Sequence, residues 1–269
     1  MSDPRDLYLD LMKRSLLNLI YGDREVVYAN PASPVKRMVF AAVRAQGAEV
    51  VRRKQFDAEV RQSGRDWPTD GQTMLSMKRL ENVQYCVEQA IKNNVPGNLI
   101  EAGVWRGGAS ILMRAVLKAH NVLDRKVFVA DSFEGLPAPD ADKYPQDIGI
   151  DYHKMDELKI SLSEVQGNFE RYQLLDEQVK FLKGWFEDTL PTADTGPLAV
   201  IRLDGDMYES TMDGLEALYE RLSPGGFIIL DDYVMLEPCR KAVDDYRKRN
   251  GITEEIIPID FAGAYWKKQ

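Results

Sequence analysis

The 269-residue sequence predicts an α/β fold built on a doubly wound, mostly parallel sheet. Short apolar runs alternate with helical segments from about residue 98 onward, and the runs are rich in β-branched residues, as buried parallel strands are. Acidic residues also close several of these runs. Because ligands bind beyond the carboxyl ends of the strands in such sheets, the acids predict where the site lies.

The first 72 residues are expected to form a helical segment that covers the site of a main domain at 73–269. A helix over about 5–22 carries an apolar stripe, which must be buried against some surface. The stripe consists of Leu7, Leu11, Leu16, Leu19 and Ile20. We therefore expect a homo-oligomer, at least a dimer, unless this helix packs on its own subunit. A second, charged helix is expected over 35–62, and the segment 63–68 breaks it.

A helix over about 74–93 is expected to lead into the sheet. The predicted strands are NLIEAG, KVFVADS, QVKFLKG, LAVIRLD, GFIILDD and EIIPID. Helices are expected between them at about 108–120, 161–173, 209–221 and 237–250. The final AYWKK follows a short turn and predicts an antiparallel edge strand. The long polar run 138–156 predicts a lid or substrate loop above the strand ends.

Composition excludes several classes of function. The formal net charge is -8, which argues against a nucleic-acid partner, because phosphate binding needs a basic face. The two cysteines, Cys86 and Cys239, lack the spacing of metal ligands and imply no disulfide framework. The sequence shows neither a signal peptide nor a run long enough to span a bilayer. We expect a cytoplasmic protein without a membrane partner.

Three aspartates at two predicted strand ends indicate a metal site. Asp204 closes AVIRLD, and Asp231 and Asp232 close GFIILDD. Carboxylates that converge repel one another unless a cation lies between them, and Mg²⁺ takes oxygen ligands while leaving positions open for substrate. In the alternative interpretation, Asp231 caps the following helix and Asp232 faces solvent.

A glycine-containing turn, Glu101 to Ser110, follows the first strand of the sheet. Such a turn lets the backbone approach a ligand that faces the next helix N-terminus. The sequence lacks GxGxxG, which disfavours a dinucleotide site. Its E-x-G-x-x-x-G spacing instead resembles the first motif of class I S-adenosylmethionine-dependent methyltransferases. Asp131 ends the next strand, where a carboxylate can bind ribose hydroxyls, and Trp185 follows another strand, where an aromatic ring can stack on adenine.

Together these pieces resemble the macrocin O-methyltransferase family. The matching stretches are MKRLENVQYCVE (77–88), LIEAGVWRGGASILMRAVLKA (99–119), VADSFEGLP (129–137), GWFEDTLP (184–191), RLDGDMYEST (202–211) and LSPGGFIILDDY (222–233). The resemblance implies a class I methyltransferase fold, with a seven-stranded sheet and N-terminal helices that close over the site. It also implies transfer of a methyl group from S-adenosylmethionine to a sugar hydroxyl of a glycosylated antibiotic, with Mg²⁺ as cofactor.

The resemblance assigns roles by position. Asp204, Asp231 and Asp232 match the metal ligands, and Asp206 matches the proposed general base. The matching donor-binding residues are Glu101, Gly103, Val104, Trp105, Arg106, Gly107, Ser110, Asp131, Ser132, Gly184, Trp185, Phe186 and Asp204. Asp206 follows Asp204 by two residues, so an extended backbone would direct both side chains to one face. Alternatively, Asp206 caps the helix that begins near Glu209.

His153, in the loop 138–156, is a second candidate for the base or for a substrate contact, because an unperturbed histidine titrates near neutral pH. A solvated loop histidine is the alternative. Catechol-type methyltransferases use a lysine base, whereas positions 206 and 207 here are Asp and Met, which favours a sugar alcohol as acceptor. The remaining alternatives are a nicotinamide-dependent oxidoreductase and a non-catalytic protein that kept the fold.

Overall fold

The computed structural model describes residues 3–269, and its N-terminal part combines helices with a small two-stranded sheet. These elements are α1 (Pro4–Leu16), β1 (Val26–Tyr28), α2 (Pro34–Ala45), β2 (Val51–Arg53) and α3 (Ala58–Gln62). Asp3 caps α1 by accepting a hydrogen bond from the backbone N–H of Arg5. Among residues 3–269, no helix has the length and apolar character that crossing a bilayer requires.

The single helix expected over 35–62 is wrong, because α2 ends at Ala45 and β2 precedes α3. Gly47 adopts a φ of 74°, a left-handed conformation that glycine favours and that ends a helix. The following β-branched Val51 pairs with Tyr28 in the antiparallel β1–β2 ladder. Helical periodicity therefore stops at the glycine, although the polar composition continues past it.

The main domain alternates helices and strands, as expected. Its elements are α4 (Met77–Lys92), β3 (Asn98–Ala102), α5 (Gly108–Ala119), β4 (Val127–Asp131), α6 (Leu162–Arg171), β5 (Val179–Lys183), α7 (Phe186–Thr189), β6 (Leu198–Leu203), α8 (Tyr208–Leu218), β7 (Leu222–Leu230), α9 (Glu237–Asn250), β8 (Ile257–Pro258) and β9 (Ala264–Lys267). Residues 138–156 contain only short 3₁₀ turns, which agrees with the predicted loop.

Seven strands form one sheet in the order β5-β4-β3-β6-β7-β9-β8. The pairs from β5 through β7 are parallel, and β9 pairs antiparallel with β7. The order reverses between β3 and β6, which is the switch point where doubly wound sheets bind ligands. AYWKK is antiparallel as expected but does not lie at the edge, because the two-residue β8 pairs with its outer side.

Alternate residues of each central strand enter two different hydrophobic cores, one on each face of the sheet. In β3, Leu99 packs with α1, α4 and α5, while Ile100 packs with α8 and α9. Leu9 and Leu16 of α1 are fully buried in the first core, whereas Leu7 and Leu11 are more than half exposed. The helix packs on its own subunit through Leu9, Met12 and Leu16, but of the predicted stripe only Leu16 is buried, and Leu7, Leu11 and Ile20 stay exposed within residues 3–269.

A buried ion pair ties the chain after α1 to α3. Glu25 accepts hydrogen bonds from Arg61 at 3.0 and 2.9 Å and from Asn18 at 2.9 Å. Arg61 also donates to Asp66, at 2.6 Å. Burial alone raises the pKa of Glu25, but the bonds from Arg61 and Asn18 outweigh it and lower the pKa to about 2. The ionised carboxylate therefore stabilises the fold.

We expect Glu25→Gln to destabilise the protein by about 3 kcal/mol near neutral pH, since each pKa unit corresponds to about 1.4 kcal/mol. A lowered folded-state pKa contributes stability above the unfolded value of 4.5, and this is lost as the pH falls toward about 2. Urea unfolding should show that the difference in free energy of unfolding between the wild type and Glu25→Gln decreases as the pH falls through that range. Glu59→Gln, on the exposed face of α3, is the matched control and should change little. If the difference in free energy of unfolding between the wild type and Glu25→Gln is the same at every pH, this account is contradicted.

Candidate active site

A cavity of about 740 Å³ opens beyond the carboxyl ends of β3, β4, β6 and β7. Residues at or just after each of these strand ends line it, among them Gly103, Asp131, Asp204 and Asp231. The segment 64–67 and the loop 135–158 contribute further walls. The position at the strand ends agrees with the site predicted from the sequence.

The turn after β3 brings the backbone close to the end of β6, the neighbouring strand in the sheet. Gly103 has a φ of 87°, and a Cβ placed there would lie 1.9 Å from the carbonyl oxygen of Asp204. Only glycine fits this position. Gly107, with a φ of 85°, is the N-cap of α5, and Ser110 in its first turn donates a hydrogen bond to Glu101. Glu101 is thus held in place beneath the turn.

Asp131, at the end of β4, joins two loops. Its Oδ2 accepts from the backbone N–H of Val104 at 2.8 Å, and its Oδ1 accepts from that of Phe133 at 2.7 Å. Burial raises the pKa of this carboxyl. Oδ1 also accepts from the hydroxyl of Ser132 at 3.4 Å, whereas Oδ2 keeps a free lone pair, so the side chain can still accept a hydrogen bond from a ligand in the cavity.

Two half-buried aromatic side chains, Trp185 and Phe186, line the cavity after β5. The backbone N–H of Gly184 donates to the carbonyl of Asp131 at 3.0 Å, which fixes this turn beside the β4 end. An acidic acceptor and flat aromatic surface thereby adjoin one another. This set of groups fits an adenosine, whose ribose has two hydroxyl donors and whose base is planar.

Three carboxylates converge at the ends of β6 and β7. One carboxylate oxygen from each of Asp204, Asp206 and Asp232 lies within 4.8 Å of the others. The backbone is not extended as supposed, since β6 ends at Leu203 and Asp206 has a φ of 58°. Burial together with the charges of Asp204 and Asp231 raises the pKa of Asp206 to about 8.

Asp231 lies in the same cluster but is engaged differently. Arg202, which is 1% exposed, donates to Asp231 at 2.5 Å, to Asp204 at 3.0 Å and to Glu101 at 2.5 Å. Arg79 donates to the other oxygen of Asp231. Asp231 therefore does not cap α9, and it keeps one free lone pair on each oxygen. Asp232 does not face solvent either, because it is only 4% exposed.

The remaining carboxylate, Asp232, supports a fit to a hard cation. Its Oδ2 is buried and has no hydrogen-bond partner among residues 3–269. Burial, followed by the charges of Asp206 and Asp204, raises the pKa of Asp232 well above its usual range. An unpaired buried oxygen beside further carboxylates is the donor set that Mg²⁺ prefers, so the residues fit this ion.

Asp147 anchors the loop 138–156 to the helix after the cluster. Its buried carboxylate accepts from the backbone N–H groups of Tyr208 at 2.7 Å and Glu209 at 3.1 Å. This contact caps α8, so Asp206 does not act as its cap. The loop brings Tyr152 to the cavity wall, whereas His153 is not among the lining residues.

Most of the predicted site residues meet at the cavity. Those in its wall are Glu101, Gly103, Val104, Trp105, Asp131, Ser132, Trp185, Phe186, Asp204, Asp206, Asp231 and Asp232. Arg106, Gly107, Ser110 and Gly184 support the wall without lining it. The guanidinium of Arg106 donates to the carbonyls of Thr69 at 2.8 Å and Gly71 at 2.9 Å, and so holds the 68–71 segment over the turn.

The sequence argument missed Arg79, Asp147, Tyr152, Arg202 and Phe261. Arg202 gave a detectable signal, because a charge inside the apolar run AVIRLD requires a buried partner. Phe261 lies in the short turn before AYWKK, and the sequence around it contains no ligand-binding pattern. Arg79 and Asp147 contact the site across 152 and 61 residues respectively, and no local pattern reports such contacts.

Proteins similar to this chain over nearly its whole length are named as O-methyltransferases. The model of a family described as macrocin-O-methyltransferase (TylF) matches residues 5–268. A Streptomyces olivaceus protein named 8-demethyl-8-(2,3-dimethoxy-alpha-L-rhamnosyl)-tetracenomycin-C 4'-O-methyltransferase is 52% identical over 98% of this chain and 94% of its own. Mycinamicin III 3''-O-methyltransferase from Micromonospora griseorubida is 49% identical, over 98% of this chain and 96% of its own length. The solved structure of the O-methyltransferase NovP superposes with a TM-score of 0.86 at 48% identity, covering 98% of this chain and 99% of that chain.

Proposed function

As a member of the macrocin-O-methyltransferase family, this chain is an O-methyltransferase, and we propose that it methylates a sugar hydroxyl of a glycosylated natural product. The observation that supports this most is the adjacency of an adenosine-compatible wall and a carboxylate cluster in one cavity. The names of two relatives specify methylation on a rhamnosyl tetracenomycin and on mycinamicin III. We therefore propose a deoxysugar, such as a rhamnosyl group, as the acceptor.

The proposed donor site lies between the β3 turn and the turn after β5. Asp131 accepts the ribose hydroxyls, Trp185 and Phe186 flank adenine, and Glu101 with Ser132 completes the wall. Asp131 is already held by two backbone N–H groups, so no side-chain ordering is required when the donor binds. This preorganisation supports the assignment of the donor to this half of the cavity.

We expect Asp131→Ala to weaken binding of S-adenosylhomocysteine by tens-fold, because charge-assisted hydrogen bonds contribute about 1.5–3 kcal/mol. Calorimetry on the purified protein measures this directly. Asp124→Ala, on the exposed loop before β4, is the control and should bind normally. An unchanged affinity in Asp131→Ala would refute the donor site.

The proposed acceptor site lies at the carboxylate cluster. When bound, S-adenosylmethionine supplies an activated methyl group, and Mg²⁺ lowers the pKa of a hydroxyl that it coordinates. Asp204, Asp231 and Asp232 are proposed to hold the ion, and Asp206 is proposed to accept the proton of the hydroxyl. Burial and the neighbouring acids raise the pKa of Asp206 to about 8, and a cation among these acids would lower it toward neutral pH, the range that suits a general base.

The geometry also supports a second ligand set, in which Asp206 replaces Asp231. Both oxygens of Asp231 already accept from arginines, whereas the oxygens of Asp204, Asp206 and Asp232 converge. Asp204 and Asp232 belong to both sets. His153 remains the alternative base, although Tyr152 rather than His153 lines the cavity.

We expect Asp206→Asn to retain affinity for the divalent ion and the donor while turnover falls about 10²–10⁴-fold, as loss of a general base predicts. Asp231→Asn should weaken metal binding, and EDTA should abolish turnover of the wild type. Titration with Mn²⁺ followed by electron paramagnetic resonance measures ion affinity separately from activity, with Asp124→Asn as the control. Loss of Mn²⁺ binding in Asp206→Asn but not in Asp231→Asn would favour the second ligand set. Normal turnover of Asp206→Asn with impaired His153→Ala would reverse the base assignment.

The N-terminal 72 residues are proposed to act as a lid over the acceptor. Gly64, Arg65 and Trp67 line the cavity, and Arg106 binds the carbonyls of the adjacent segment. Contacts therefore join this part of the chain directly to the donor turn.

A cytoplasmic location is also proposed, because both cysteines are free and buried, as suits a reducing compartment.

We propose in addition that the protein is a homo-oligomer that associates through α2 and the β1–β2 ladder. No residue of α2 is buried, and Val35, Met38 and Val39 are 65%, 69% and 52% exposed. Residues 26–54 carry six basic side chains and one acidic one in a chain whose net charge is -8. The basic segment 26–54 of one copy is therefore complementary in charge to the acidic remainder of a second copy, and the exposed apolar side chains of α2 would be buried in that contact.

We expect sedimentation at micromolar concentration to give at least a dimer, and Met38→Asp to shift it to the monomer. A charge placed in an apolar interface must be desolvated without a partner, which disfavours association. Leu123→Asp, at a residue that is 72% exposed elsewhere, is the control and should leave the assembly unchanged. A monomeric wild type would contradict the proposal.

A further inference from the structure

A stack of an arginine on a phenylalanine forms part of the cavity wall. Neither residue is among the site residues predicted from the sequence. The guanidinium carbon of Arg65 lies 4.3 Å from the ring centroid of Phe261, and both residues line the cavity. Arg65 is exposed, and it forms no salt bridge within residues 3–269. The guanidinium lies over the ring of Phe261, and because Arg65 is exposed, part of the guanidinium stays accessible to a ligand.

The phenylalanine side of this stack is rigidly held. Asp260 accepts from the backbone N–H groups of Ala262 at 2.9 Å and Gly263 at 3.0 Å, which fixes the turn that carries Phe261. The same carboxylate accepts from the hydroxyl of Ser76 at 2.5 Å and from Arg79 at 3.2 Å. Phe261 is thus fixed before any ligand arrives.

The arginine side is held as well. Asp66 pairs with Arg61 at 2.6 Å and with Lys54 at 2.6 Å, directly after Arg65 in the chain. Gly64 has a φ of 74°, and a Cβ there would lie 2.8 Å from the backbone nitrogen of Ser76. The segment is therefore pressed against the start of α4, in a conformation that requires glycine. Two segments distant in sequence are built to meet at this stack.

The stack adjoins the carboxylate cluster. Arg79 lies 5.8 Å from the ring centroid of Phe261 on the inner side, and it also pairs with Asp231. Two large apolar residues of the wall, Trp67 and Met235, are 45% and 50% exposed. The cavity wall therefore holds the carboxylates, the stack and exposed apolar side chains, and Arg79 contacts both Asp231 and Phe261.

On this geometry, and resting on the proposed function, we infer that Arg65 and Phe261 form an aglycone subsite that takes a planar aromatic aglycone. The sugar of the acceptor lies against the acids, and the aglycone lies flat on the accessible part of the Arg65 guanidinium. A guanidinium stacks on aromatic faces, whereas a saturated ring offers no π surface to it. Because both partners of the stack are preorganised, little ordering opposes this contact.

The inference is tested with three glycosides that share one sugar and differ in the aglycone. Methyl, 2-naphthyl and decahydro-2-naphthyl α-L-rhamnoside are titrated by calorimetry into protein loaded with Mg²⁺ and S-adenosylhomocysteine. Arg65→Lys keeps the charge and removes the planar group, and Phe261→Leu keeps apolar volume and removes the ring. Methyl rhamnoside and S-adenosylhomocysteine affinities serve as internal controls that each variant is folded.

We expect the wild type to bind the naphthyl glycoside about threefold to tenfold more tightly than the decahydronaphthyl glycoside. This is the gain in affinity expected of a cation–π contact that is exposed or partly desolvated. Both variants should lose this preference and bind the methyl glycoside as the wild type does. Equal affinity for the two bicyclic glycosides, or a preference that survives in Arg65→Lys, overturns the subsite while the proposed function stands. If none of the three glycosides binds or is methylated, the rhamnosyl acceptor and the subsite that depends on it are both wrong.

Discussion

The buried guanidinium of Arg202 is the interaction on which the rest of the site depends. Glu101, Asp204 and Asp231 end three neighbouring strands, and all three bind this one arginine. Without it their charges would repel one another in a region with little water to screen them. Arg202 compensates these three acids, with Arg79 as a second partner of Asp231, and leaves Asp232 unpaired within the described chain. That imbalance supports the proposal that a cation binds at these strand ends.

The same interaction connects the two halves of the cavity. On the side proposed to bind the donor, Arg202 holds Glu101, which also accepts from Ser110 at the start of α5. On the side proposed to bind the acceptor, it holds Asp231, whose other partner, Arg79, reaches the turn that carries Phe261. A continuous series of charge-assisted contacts therefore runs from the donor turn to the outer wall. Such networks fix distances between groups that must meet for methyl transfer.

Hydrophobic periodicity predicts the sheet, and the polar residues at the ends of the predicted strands predict most of the cavity wall. Both signals lie in short stretches of local sequence. The alternation of apolar runs with helices predicts the parallel strands. The acids at the strand ends lie in one cavity, but the oxygens that converge belong to Asp204, Asp206 and Asp232 rather than to the expected Asp204, Asp231 and Asp232. The continuous helix over 35–62 is wrong because composition does not reveal the left-handed turn at Gly47. The order of the last two strands, the pairing of Arg79 with Asp231 and the position of Phe261 depend on long-range packing. No spacing along the chain contains that information.

The central claim is that the strand-end carboxylates bind one divalent cation beside the donor. Crystals grown with MnCl₂ and S-adenosylhomocysteine, measured at the manganese absorption edge, locate the ion without reference to activity. The account predicts one anomalous peak in direct contact with oxygens of Asp204 and Asp232, at about 2.0–2.6 Å, as hard cations bind carboxylates. The absence of a peak at these strand ends, or a peak bound by neither aspartate, would contradict it.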